Sequence, residues 1–193
     1  MRRPAVVMVI LVIAVSFAAA ALLLPGCGGG GSTGQAKSLA IKANDAAAKM
    51  NDVTSKLTQQ FQTLMSETAT GAVPDKAKWD AAAAQIKSQI AEVTKSVQEI
   101  KNNYQEMAKL NGVPKYNEFA KVQLQILALT EQSIKTIQAF LDKISTMLAS
   151  GTLTADAYSK AQNDFYNELS AVATKAQSLS AQAKKLRENN KLF

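Results

Sequence analysis

The sequence contains no histidine and a single cysteine, Cys27. The lack of histidine excludes Ser-His-Asp and Cys-His catalysis, zinc sites built on imidazole, and iron sites of the Glu-x-x-His type. One cysteine excludes an internal disulfide and any cluster of thiolate ligands. Aromatic residues make up only 6% of the chain, which favours long helices over sheets.

The residues that are present favour one helical domain. The chain has 193 residues, of which 47% are hydrophobic and 19% charged, and alanine, lysine, glutamine, serine and leucine dominate. Alanine, lysine, glutamine and leucine are strong helix formers. A chain of this length can bury a sizeable core, and its length favours one domain or two small ones. We therefore expect an all-α protein.

The N-terminal segment is typical of an export signal. Arg2 and Arg3 precede an apolar run over residues 5–24, and residues 24–27 read Leu-Pro-Gly-Cys. The segment resembles a bacterial lipoprotein precursor, whose lipobox is an aliphatic residue, two small residues and a cysteine. Leu24, Gly26 and Cys27 match this pattern, and Pro25 departs from the more common alanine or serine.

The resemblance implies that Cys27 receives a diacylglyceryl lipid and that residues 1–26 are removed as a signal peptide. The mature protein would then be lipid-anchored outside the cytoplasm, on the cell membrane or on an outer membrane. Two other interpretations stay open. The apolar run is long enough to span a hydrocarbon core of about 30 Å as an uncleaved anchor, and ordinary signal-peptidase cleavage within residues 18–21 would leave no lipid.

A glycine-rich segment follows the cysteine. Residues 28–34 read Gly-Gly-Gly-Gly-Ser-Thr-Gly, a composition that predicts a flexible tether with a reach of roughly 15 Å. The segment lacks the Lys-Ser/Thr that would follow in a phosphate-binding loop. We predict that residues 27–35 form the lipidated cysteine and its tether.

Beyond the tether, turn residues recur at even spacing. Gly71 with Pro74, Gly112 with Pro114, and Gly151 with Thr154 divide residues 36–193 into four segments. Within each segment, apolar residues recur at alternating intervals of three and four. The spacing predicts helices over 36–69, 75–111, 115–149 and 154–190. Short connections favour an antiparallel up-down-up-down four-helix bundle with coiled-coil-like packing.

Two alternative architectures use the same pattern. Four segments of about equal length also suit a helical-repeat solenoid, but no residue pattern recurs between them, which favours a closed bundle. The same heptads also allow a hairpin to open and associate between chains. An aromatic layer is expected where Phe61, Phe140 and Phe165 meet the alanines at 83–84.

The basic residues are concentrated at one end of the predicted bundle. The net charge is +7. The half of the predicted bundle next to the anchor contains 13 basic and 7 acidic residues, counted over residues 36–53, 94–132 and 173–193. The outer half contains 7 basic and 8 acidic residues, counted over residues 54–93 and 133–172. Lysine and arginine are attracted to anionic headgroups. The candidate membrane-proximal basic patch consists of Lys109, Lys115, Lys121, Lys184, Lys185, Arg187 and Lys191.

Two further groups of residues are candidate binding sites. Val73, Trp79, Leu153 and Tyr158 gather at the two outer turns, and tryptophan and tyrosine are frequent anchors of protein interfaces. The alternative is that these side chains close the end of the core. Tyr104, Gln123 and Thr130 form a candidate internal polar layer, which either fixes the helix register or contacts a small ligand.

These features predict a non-enzymatic protein of the cell envelope. The first hypothesis is a lipid-anchored module that binds another envelope protein or supports an assembly. The alternative is a helical sensor domain with a small ligand between its helices. The carboxylates fall on outer faces beside lysines and form no inward pair, so no enzyme is predicted. No metal, no nucleic acid and no cofactor beyond the covalent lipid on Cys27 are expected.

Overall fold

The computed structural model describes residues 31–67 and 73–193. These residues form four helices, α1 (Ser32–Glu67), α2 (Lys76–Met107), α3 (Pro114–Ala149) and α4 (Ala155–Asn190), and no strand. The predicted all-α four-helix architecture is therefore confirmed. The predicted signal peptide over residues 1–26, Cys27 and the turn glycine Gly71 lie outside the described residues.

Local side-chain chemistry explains where the helices begin. Asp75 precedes α2 and accepts a hydrogen bond from the Lys78 N–H at 2.9 Å, and Thr154 precedes α4 and accepts one from the Ala157 N–H at 3.2 Å. Both contacts satisfy an otherwise unpaired donor of the first turn. Pro114 opens α3, where its missing N–H leaves no hydrogen bond unmade. These starts agree with the sequence pattern.

Within the described residues, two helix ends differ from the predicted bounds by more than one residue, whereas the starts of the other three helices differ by one. The first helix begins at Ser32 instead of residue 36, since the Gly31 carbonyl already accepts from the Gln35 N–H at 3.1 Å. The second ends at Met107 instead of residue 111, because the Asn117 side-chain amide donates to the carbonyls of Ala108 and Leu110. Long-range capping of this kind has no signature in the local sequence.

Contacts between helices establish the antiparallel order. Trp79 near the start of α2 donates through Nε1 to the Ser145 hydroxyl near the end of α3, at 3.1 Å. Tyr116 at the start of α3 donates through its hydroxyl to the carbonyl of Leu192, just beyond α4. The Phe61 ring near the end of α1 lies 5.4 Å from the Phe165 ring in the first third of α4. Consecutive helices therefore run in opposite directions.

The two central helices differ in how much surface they bury. Every predicted position of the α2 heptad stripe is buried: Trp79, Ala83, Ile86, Ile90, Val93, Val97, Ile100, Tyr104 and Met107. Helix α3 buries a second row beside its predicted stripe, including Phe119, Val122, Ile126 and Phe140. Each central helix packs against two neighbours in the chain, α2 against α1 and α3, and α3 against α2 and α4.

The core of α1 is rich in alanine near the start of the helix. Ala36, Ala40, Ala43 and Ala47 are each at most 4% exposed. Small side chains let two helix backbones approach closely, and α1 packs most extensively against α2. Larger side chains, among them Met50, Leu57 and Phe61, fill the core farther along α1. None of the four described helices contains a stretch apolar enough, over a sufficient length, to cross a bilayer.

Candidate functional site

The helix order brings the start of α1, the α2–α3 turn and the end of α4 together. We call this region the anchor-proximal end, after the anchor that the sequence predicts at Cys27, and define it as residues 32–39, 100–121 and 183–193. Its interior is closed by the Phe193 ring, which lies 6.1 Å from Tyr116 and 5.3 Å from Phe119. Only four residues separate Cys27 from Ser32, so the five Cα–Cα steps limit the distance between their Cα atoms to about 18 Å.

The candidate basic residues lie at this end. Six of them have exposed side chains: Lys109, Lys115, Lys121, Lys184, Lys185 and Lys191. The seventh, Arg187, is partly buried and has an interaction partner. Lys184 lies 3.9 Å from Glu188. Within residues 31–67 and 73–193, the other five lysines form no ion pair.

The candidate partner tip at the opposite end is largely interior. Trp79 and Tyr158 are 0% exposed and Leu153 is 9% exposed, whereas Val73 is 43% exposed. The Trp79 ring lies 6.0 Å from Phe140 and 6.2 Å from Tyr158, both in edge-on geometry. Burial of these rings agrees with the alternative that they close the core. Of the four residues, only Val73 offers a substantial apolar surface to a partner.

An aromatic cluster lies directly beneath this tip. Phe140 stacks on Phe165 at 4.5 Å and lies 6.3 Å from Phe61, so the rings of three helices meet as the sequence predicts. Ala83 is 3% exposed beside this level, while Ala84 faces solvent. Burial, and then the neighbouring Tyr158, raise the pKa of Tyr166 to about 12.

The candidate internal polar residues do not form one connected layer. Tyr104 is 1% exposed and packs edge-on against Phe119 at 6.0 Å, and its burial raises the pKa of its hydroxyl above the usual range. The Thr130 hydroxyl donates to the carbonyl of Ile126 at 3.2 Å, one turn back. The Gln123 Oε1 atom is buried without a hydrogen-bond partner. Tyr104 therefore does not donate a hydrogen bond to this oxygen.

We expect Gln123→Met to raise the free energy of unfolding by about 1 kcal/mol. The methionine side chain is about as long as that of glutamine but has no carbonyl group. The substitution therefore removes a buried carbonyl that loses its hydrogen bonds to water on folding and gains none in the protein. Urea denaturation of the variant measures the gain. Gln125→Met is the matched control, since Gln125 is exposed and its replacement should change stability by less than about 0.5 kcal/mol. A loss of stability in Gln123→Met would contradict this account of Gln123.

Two surface depressions do not coincide with the candidate residues of the polar layer. One, of about 370 Å³, lies at the α2–α3 turn and is lined by Val113, Asn117 and Lys121 among others. The second, of about 450 Å³, is a groove between α3 and α4 lined by Gln125, Ala128, Leu129, Lys175, Ser178 and Leu179. Within the described part of the chain, no group of three acidic or cysteine side chains is placed to hold a metal ion.

Sequence reasoning missed two residues of the anchor-proximal end. Lys37 and Lys101 belong to it as well, and Lys101 is paired with Glu131 across α2 and α3 at 2.7 Å. Both residues could have been included from their position along the predicted helices, because Lys37 is near the start of the first helix and Lys101 is near the end of the second. Comparisons of the chain with models of protein families, with curated proteins and with solved structures gave no match.

Proposed function

We propose that this protein is a lipid-anchored, extracytoplasmic module of a bacterial cell envelope that binds or supports another envelope protein without catalysing a reaction. The observation that carries the proposal is the position of Cys27. It stands directly after the apolar run and five residues before the first helix of a bundle with its own core. A lipid on Cys27 would hold the whole bundle at a membrane by one end.

The described side chains support a binding role over a catalytic one. The largest fully buried aromatic side chains pack against one another, and four of the five lysine–carboxylate ion pairs of the described residues are exposed, as in Lys87 with Asp142 at 2.6 Å. The proposal includes no cofactor other than the covalent lipid. Its partners are the membrane and one envelope protein.

Metabolic labelling of the full-length protein with palmitate tests the anchor. We expect label on the wild-type chain and none on Cys27→Ser, because Cys27 is the only cysteine and thus the only thioether site. An unlabelled product cleaved within residues 18–21 would overturn the proposal in favour of an ordinary signal peptide. An unlabelled and uncleaved product would overturn it in favour of a transmembrane anchor.

Photo-crosslinking in cells tests the binding role. Lys76 and Ser159 are both exposed. Lys76 is three residues after Val73, and Ser159 lies in the first two turns of α4, so both are at the end of the bundle opposite the proposed anchor. A photoreactive residue at either position should give one discrete adduct, while the same residue at Lys121, at the anchor-proximal end, should not. The absence of an adduct from the outer positions would contradict a partner at this tip.

A sensor function is the second candidate, and the unpartnered Gln123 oxygen is the observation that favours it. A buried acceptor without a partner is a place where a ligand donor could bind. A thermal-shift screen of amino acids, sugars and nucleotides against the wild type and Gln123→Met tests this function. A sensor requires a compound that raises the melting temperature of the wild type alone.

A further inference from the structure

The positive charge excess of residues 31–193 is confined to a thin layer at one end. The anchor-proximal end extends about seven residues into each helix, which corresponds to a depth of about 10 Å along the bundle axis. It contains 9 basic and 3 acidic residues. The layer of similar depth at the opposite end, residues 61–67, 73–83 and 142–161, holds 4 basic and 5 acidic residues. The bundle is therefore electrostatically asymmetric along its axis.

Ion pairing increases this asymmetry. Away from the anchor, Lys76 pairs with Asp80 and Lys160 pairs with Asp164 within single helices. At the anchor-proximal end, five exposed lysines form no ion pair among the described residues: Lys109, Lys115, Lys121, Lys185 and Lys191. We call these the five end lysines. Their charges are not neutralised locally and are available to an anionic surface.

The five end lysines lie close to the end itself. Lys109 lies in the α2–α3 turn, Lys115 in the first turn of α3, and Lys191 directly after α4. Lys121 is seven residues from the start of α3 and Lys185 five residues from the end of α4, which corresponds to about 10 Å and 8 Å along the helices. These depths are comparable to the screening length of about 8 Å at physiological ionic strength.

We propose that the anchor-proximal end docks on the anionic lipid headgroups of the membrane that carries the anchor, through the five end lysines. This inference rests on the proposed lipidation of Cys27. With a lipid there, the span of at most about 18 Å to Ser32 keeps this end, and not the opposite one, next to the headgroups. The lipid holds the protein at the membrane, and the lysines orient the bundle upright on it.

The surface of this end fits a membrane better than a protein partner. Protein interfaces usually bury apolar or aromatic anchors at their centre. The two exposed large hydrophobic residues of the described chain, Ile41 and Val73, both lie outside the anchor-proximal end. A surface of separate lysines, on which no described large hydrophobic side chain is as exposed as Ile41 or Val73, is suited to the diffuse charge of headgroups.

Vesicle flotation of residues 27–193 carrying Cys27→Ser measures this surface without the lipid. That chain keeps every described helix and all the core contacts given above, and circular dichroism checks that each variant is folded. The vesicles contain phosphatidylglycerol and phosphatidylcholine in equal parts, or phosphatidylcholine alone.

The first variant replaces all five end lysines by glutamine. The matched control replaces five exposed lysines far from the anchor by glutamine, Lys56, Lys76, Lys78, Lys143 and Lys160, so both variants have the same net charge.

We expect partitioning onto the anionic vesicles, and little onto phosphatidylcholine alone. One lysine near an anionic surface contributes about fivefold to the partition coefficient, so the loss of all five end lysines should lower it by about 100-fold or more. The control should lower it by less than about threefold.

Equal losses in the two variants would overturn the inference, because net charge alone would then explain binding. Absence of binding by the parent chain would also overturn it, and would leave an acidic protein as the occupant of this end. The palmitate experiment distinguishes either failure from a failure of the proposed function, because labelling of Cys27 does not depend on the end lysines.

Discussion

Phe140→Ala is expected to lower the free energy of unfolding by about 3–5 kcal/mol, the range typical of a buried phenylalanine replaced by alanine. The Phe140 ring contacts the rings of Phe61, Trp79 and Phe165, which belong to three different helices. Its removal leaves a cavity that no single helix can fill by a local shift, because every neighbour is held by its own helix. The loss corresponds to a fall in melting temperature of about 10 °C.

Urea and thermal denaturation of residues 27–193 carrying Cys27→Ser measure this effect. Ile41→Ala is the control, since Ile41 is 41% exposed and its truncation removes apolar surface without opening an interior cavity. We expect the control to cost less than about 1 kcal/mol. Similar losses in the two variants would show that the aromatic cluster is not the packed junction described above.

Leu192→Ala is expected to lower the free energy of unfolding by about 2–3 kcal/mol. Lys191 adopts a left-handed conformation at φ 48° and ψ 47°, which ends α4 and lets the Leu192 N–H donate to the Arg187 carbonyl at 3.2 Å. The turn directs Leu192 into the core, where it is 2% exposed, and its carbonyl accepts from the Tyr116 hydroxyl. The truncation removes the apolar contact that holds this turn against α3.

The magnitude is placed at the lower end of the range for buried leucines because Leu192 lies beyond α4, where the non-helical backbone can shift into the space. Leu129→Ala is the matched control: Leu129 is half-buried in the groove between α3 and α4, and we expect a loss of about 1 kcal/mol. Chemical denaturation measures both variants. If Leu192→Ala cost no more than Leu129→Ala, the packing of residues 191–193 would contribute little to the stability of the bundle.

The pattern of apolar residues predicted α2 more completely than α3, and the reason is geometric. The heptad stripe of α2 coincides with its buried face, so all nine predicted positions are interior. Helix α3 buries an additional row that includes Phe119 and Val122, although α2 and α3 each pack against two other helices. Periodicity identifies the direction of a buried face, but it does not state how wide that face will be.

Aromatic residues near a turn were ambiguous in the sequence for a related reason. Trp79 and Tyr158 each follow an outer turn by a few residues, a position that suits both a binding tip and a closed core. Their burial follows from the packing of Trp79 against both Tyr158 on α4 and Phe140 on α3, contacts between residues far apart in the chain. Gln123 is similar, since its position relative to Tyr104 depends on the axial offset of α2 and α3.

By itself, the sequence determined the number of helices, most of their bounds and the end at which the basic residues gather. These properties depend on the local pattern of apolar residues, on capping residues such as Asp75 and Thr154, and on the positions of the turns. Only the tertiary structure decided that Trp79 and Tyr158 are interior, which lysines remain without an ion pair, and that Gln123 lacks a partner. Burial and pairing depend on the rotation and axial offset of each helix against its neighbours, which are determined by side-chain packing across the whole bundle.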